Sequence, residues 1–174
     1  MSREGLEILT LASGARVRDG LPAEETIEVA LEAGAVTVLP WAVGKWLGQR
    51  GRLVRELIAS GFARDLMLGD ISGRPSFWMD PAQLQQGRRK GMRILPGTDP
   101  LPLRGEERRV GSFGCTLEAR LSGSRPAEDL KRVLRDHSIH WRPYGQLENP
   151  FRFLRNQLAL RFPAAMRVGK DGAP

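Results

Sequence analysis

Three times in this chain a glycine closes an amphipathic helical stretch and a short apolar run follows at once, at Gly34, Gly61 and Gly91. The runs read AVTVLP, FARDLMLG and MRILPG, and the glycines stand 27 and 30 residues apart, room for one helix, one strand and two loops. Glycine just past a helix accepts the left-handed backbone that ends it. A repeated unit of this kind points to parallel strands joined by crossover helices. It also says where function should lie, because ligands in parallel α/β proteins sit at the carboxyl ends of the strands. Three clusters occupy those ends: Trp41 to Trp46, Asp70 to Arg74, and Thr98-Asp99.

The remaining elements follow from periodicity and caps. Residues 6–12 alternate as a first strand, and Pro22 opens a helix to Ala33 with Glu24 and Glu25 in its first turn, where carboxylates suit the dipole. The second strand is 35–39. Residues 48–60 are helical, with Leu53, Val54, Leu57 and Ile58 at core spacing. The third strand centres on Leu66-Met67-Leu68. Asp80-Pro81 reads as a cap followed by a first helical residue, starting a helix to about Lys90, and 93–95 form a fourth strand. Residues 96–109 make a long loop, and 110–121 read as a strand or an irregular cover. Helices are expected from Ala127 to about Asp136, opened by Pro126, and over 151–160, with a flexible tail at 163–174. The fold class is therefore α/β, one domain over residues 1–162 with extra C-terminal helices. Its parallel βα units form either half of a TIM-like (β/α)8 barrel or a small open parallel sheet.

Bulk properties narrow the function classes. No apolar stretch approaches the roughly 20 residues that span a bilayer, and the first residues lack the apolar core of a signal peptide. No membrane partner is expected, and a cytoplasmic location is. Cys115 is the single cysteine, which excludes an intrachain disulfide and a cysteine-cluster metal site; it is expected to be buried. The net charge of +7 raises nucleic acid as a partner. All but four of the 27 basic residues are arginine, however, a bias that GC-rich coding also produces. The densest basic run, Arg88-Arg89-Lys90, falls at a helix end where cations complement the dipole.

The strand-end clusters carry the chemistry. Asp99, set between Gly97-Thr98 and Pro100 directly after a buried strand, has the placement of a metal ligand or general base, or else of an aspartate that caps a turn through its own side chain. Asp70 ends the previous strand and is expected to face the same pocket. Arg74 is suited to gripping a carboxylate or phosphate, or else to pairing with Asp70 and holding the loop. Trp41 and Lys45 offer a ring to stack on and a cation for an anionic group, whereas Trp46 reads as packing. Arg108 and Arg109 lie on the long loop after Asp99, placed either to close over an anionic substrate or to form a solvated face. His137 and His140 stand three apart, but at a helix end with no third ligand nearby, so the spacing alone makes no zinc site.

With Asp99 in its Gly-Thr-Asp-Pro setting, residues 35 to 115 resemble the later half of a metal-dependent hydrolase barrel, of the amidohydrolase or polymerase-and-histidinol-phosphatase (PHP) type. The resemblance implies a divalent ion, zinc or manganese, with Asp99 binding it or taking the proton from the attacking water. Asp70 is the weaker match. These families usually supply a His-x-His pair on their first strand, and this sequence has none. The resemblance then implies an incomplete barrel without the N-terminal metal ligands, completed by a missing half or a second copy. The alternative function is a non-enzymatic basic module that binds nucleic acid or another polyanion.

Overall fold

A computed structural model describes residues 1–162. The flexible tail expected at 163–174 lies outside them. Along the chain stand β1 (Leu9–Leu11), α1 (Ala23–Glu32), β2 (Val36–Pro40), α2 (Gly48–Ala59), β3 (Leu66–Ile71), α3 (Ala82–Arg89) and β4 (Ile94–Gly97). β5 (Gly114–Leu117), α4 (Pro126–Arg135), β6 (Trp141–Tyr144) and α5 (Pro150–Arg161) follow. None of the described helices is long and apolar enough to cross a membrane.

The protein is α/β, built on an open four-stranded sheet in the order β1-β2-β3-β4. β2, β3 and β4 are parallel, each beside its predecessor in sequence, as the repeated unit requires. β1 departs from the all-parallel expectation, because it runs antiparallel to β2, with Leu9 opposite Val38 and Leu11 opposite Val36. The cause lies in the first residues. The Glu4 carboxylate accepts from Ala23 N, a free donor of the first turn of α1, and Arg3 N donates to Leu21 O. The chain thus begins beside the start of α1, at the carboxyl end of β2, and β1 must run the opposite way.

Both faces of the sheet are covered. Ile27 of α1, Val54, Leu57 and Ile58 of α2, and Leu84 of α3 pack on Leu39, Leu66 and Leu68. The other face, which would be the interior of a barrel, is filled by α4: Leu134 meets Val36, Val38 and Met67, with Leu117, Leu130 and Trp141 beside it. A separate two-stranded antiparallel sheet joins β5 to β6, placing Cys115 opposite Pro143. Cys115 is half-buried rather than fully enclosed. α5 buries Asn156 and Ala159 and leaves Phe151, Leu154 and Leu158 exposed.

Two of the three marker glycines act as expected, with φ of 72° at Gly34 and 76° at Gly91. Gly61 does not. Ser60 ends α2 and caps a 3₁₀ turn over Gly61–Arg64, its side chain accepting from Phe62 N, so no left-handed residue is needed. Asp80 also departs from the reading as a cap. Its carboxylate makes no cap hydrogen bond and pairs with Arg74 and Arg88 instead. Leu57 is fully buried at the centre of the helix-sheet core. Leu57→Ala is expected to lower stability by about 2–5 kcal/mol in denaturant titration; a change near zero would contradict this core.

Candidate functional site

The carboxyl ends of β2, β3 and β4 open into a cleft of about 320 Å³. Ala42, Val43 and Lys45 line it after β2, Ile71 and Gly73 at the end of β3, and Asp99 to Pro102 after β4. α5 closes the lining with Phe153, Asn156, Gln157 and Leu160, joined by Glu148. The cleft brings together Asp99 and Lys45, as the sequence implies. Glu148, Asn156 and Gln157 were not anticipated from sequence, since they come some fifty residues later with no strand-end spacing to mark them. The one available sign was Asn149-Pro150, a helix start that fixes Glu148 just before α5.

Asp99 is exposed in the cleft, with φ of 42°, a left-handed conformation that non-glycine residues seldom adopt. Its neighbour explains how that conformation is held. Ser72 Oγ donates to Thr98 O at 2.8 Å, and Gly111 N donates to Thr98 Oγ1 at 3.0 Å. Thr98 is thereby pinned from two loops, and the turn that presents Asp99 is fixed. Among the described residues no ion pair engages the Asp99 carboxylate. Lys45 Nζ pairs with Glu7, in the segment leading into β1. Asn156 is 3% exposed, and its side-chain Nδ2 is buried without a hydrogen-bond partner.

Asp70 does not share this cleft. It is buried beneath Arg74, whose Nε and Nη2 donate to its two carboxylate oxygens at 2.9 and 2.7 Å. That hydrogen bond, opposed by burial and helped by the charges of Asp70 and Asp80, raises the Arg74 guanidinium above its usual range. Asp70 lines a different cavity, beside Arg88 and Arg93. The expected meeting of Asp70 and Asp99 in one pocket is therefore not made, because neighbouring residues of a strand end project to different sides. Trp41 is also not a cleft residue: it is buried in the helix-side core, edge-on to Trp78 at 6.2 Å between ring centres. Trp46 is core as well, as expected.

The loop after Asp99 folds onto the start of α5 through four charges. Arg109 Nη1 donates to Glu106 at 3.1 Å and to Glu148 at 2.6 Å, and Arg152 Nη2 donates to Glu106 at 2.7 Å. Glu106 and Glu148 are buried, 2% and 3% exposed. Arg109 is thus committed to carboxylates, and it lines an open groove of about 930 Å³ with Arg104, Arg152 and Arg155 rather than covering Asp99. Arg108 is exposed beside Arg109, on a 3₁₀ turn over Glu106–Arg109. Glu148 belongs to both cavities.

Comparison with protein-family models, with curated proteins and with solved structures finds no match. The reading of the site therefore rests on its own geometry. A divalent ion of the kind the hydrolase resemblance implies needs several donors at one place. Among the described residues no three His, Cys, Asp or Glu side chains are grouped to hold one. In the cleft Glu148 is engaged by Arg109, which leaves Asp99 as the free carboxylate. The described donors do not fit a metal centre by themselves.

Burial pushes the Glu106 carboxyl up, but hydrogen bonds from Arg152 and Arg109 and their charges outweigh it and hold the group below its usual range. A carboxylate depressed in the folded state stabilises the fold above its unfolded value, about 4.3, and loses that contribution as pH falls through the folded value. The protein is expected to lose stability on acidification below about pH 4, and Glu106→Gln to be less stable at neutral pH with a shallower acid limb. Thermal melts across pH check this; parallel acid limbs would contradict the role given to Glu106.

Proposed function

We propose that the strand-end cleft is a hydrolytic site for a small ester or amide that carries an anionic group, with Asp99 as the proton acceptor. The observation that carries this reading is the state of Asp99. It is a free carboxylate at the end of a parallel strand, held in a left-handed turn by the pinned Thr98, in a cleft with a cation and an amide whose Nδ2 has no partner. A fixed, unneutralised carboxylate beside a bound carbonyl can take the proton from an attacking water. Lys45, shared with the half-exposed Glu7, supplies positive charge for the anionic group. Asn156 Nδ2 supplies a donor for the scissile carbonyl oxygen. Ala42, Val43, Ile71 and Leu160 form apolar walls that suit the body of a compact substrate.

The order β2-β3-β4, each strand next to its predecessor with helices α1, α2 and α3 packed on one face, is compatible with the strand order of a hydrolase barrel. α4 occupies the face that would be the interior of such a barrel, so the reading rests on the strand ends and not on barrel closure.

The test is turnover of a panel of small carboxylate-bearing esters and amides by the wild type and by Asp99→Asn. General-base catalysis contributes about 10²–10⁴-fold, so Asp99→Asn is expected to lower kcat by that factor with an unchanged melting temperature. Equal turnover by the two proteins, or no turnover of either substrate class, would overturn the proposal.

A further inference from the structure

A second cleft, of about 450 Å³, lies alongside the edge strand β4, between the end of α3 and the β5–β6 pair. Its centre is a stacked pair. The Arg93 guanidinium carbon stands 4.3 Å from the centre of the Trp141 ring, an attractive arrangement of cation over aromatic face. Arg93 Nη2 donates to the backbone carbonyls of Asp136 and, at 3.2 Å, Ile139. These bonds leave two donors over. Arg93 Nε and Trp141 Nε1 are both buried, and neither has a hydrogen-bond partner. Buried N–H groups without acceptors are rare and costly, and two on adjoining side chains of one cleft are a specific vacancy in the hydrogen-bond pattern.

The charges around this pair decide what fills it. Asp70 also lines the cleft, but Arg74 matches its charge, and Asp80 matches that of Arg88. Arg93 has no carboxylate within ion-pair distance among the described residues. Burial lowers its guanidinium from the usual range, against the pull of Asp136 and Cys115. The cleft is therefore lined by two side chains that each keep a buried, unbonded N–H and by one unmatched positive charge, with Met92, Phe113 and Pro143 as apolar walls. Its complement is negative and accepts two hydrogen bonds. We infer that this cleft binds a small oxyanion, a carboxylate or phosphate, whose oxygens accept from Arg93 Nε and Trp141 Nε1. It is separate from the Asp99 cleft and stands whether or not that cleft is hydrolytic.

The four tryptophans give four indole N–H signals in ¹⁵N-correlated NMR, and Trp141→Phe identifies the one from Trp141. The full chain is titrated with inorganic phosphate and, separately, with benzoate, at constant ionic strength set by chloride. The Trp141 signal is expected to move downfield and saturate with one or both anions while the other three stay in place. Saturation with phosphate alone marks a site for a free phosphate group; saturation with benzoate alone marks a carboxylate on an apolar body. Arg93→Met is expected to abolish the shift. Should Arg93→Met fail to fold, since Arg93 also holds two carbonyls, Arg93→Lys keeps the charge, removes Nε and is expected to weaken binding at least tenfold. No movement of the Trp141 signal with either anion, or an unchanged titration in the folded Arg93 variant, would overturn the inference.

Discussion

The buried cluster of Glu106, Arg109, Glu148 and Arg152 is the interaction on which the functional end of this molecule depends. Two carboxylates taken out of water are tolerable only with cations at hydrogen-bond distance, and breaking one partner leaves the others uncompensated. Here the four groups come from two segments far apart in sequence, the loop after β4 and the start of α5. Glu148 also joins a third, since its backbone N donates to Arg74 O and its carbonyl accepts from Ser76 N. The loops after β3 and β4 are thereby fastened to the helix that lines the cleft. Asp70 and Arg74 support the same corner from below, so Arg74 and Arg109 serve to place the cleft rather than to bind in it.

The helix–sheet layer was legible because it depends on local patterns. Core spacing marked α1 and α2, and the left-handed glycines Gly34 and Gly91 marked where chains turn back into strands. Features set by distant contacts were hidden. The direction of β1 is decided by Glu4 and Arg3 reaching the start of α1, some twenty residues on. β6 escaped detection because Pro143 cannot donate in a ladder and so reads against a strand; it is tolerated in a two-stranded sheet with open edges. The placing of α4 on the second face, which turns a would-be half barrel into an open two-sided sheet, leaves no mark in the order of elements.

The site divides in the same way. Asp99 and Lys45 follow strands directly, so topology alone put them at one end of the sheet. Asp70 lies within the last residues of β3, four residues before Arg74, and that spacing allowed both a pocket and an ion pair; the buried geometry is the pair. Glu148 and Asn156 reach the cleft only because α5 is drawn over it by the ionic cluster. The Arg93–Trp141 pair was equally invisible, since it joins the start of β4 to the start of β6 across a helix.

The central claim, that the ionic cluster holds α5 and the strand-end loops together as one lid-like unit over the cleft, is tested most directly by amide hydrogen exchange in wild type and Arg109→Met. Removal of this guanidinium leaves Glu106 and Glu148 buried with less compensation. The account predicts faster exchange at Ser76, Glu148 and through α5, with β2, β3 and β4 unchanged. Equal protection of α5 in the two proteins, or a uniform loss across the sheet, would contradict it.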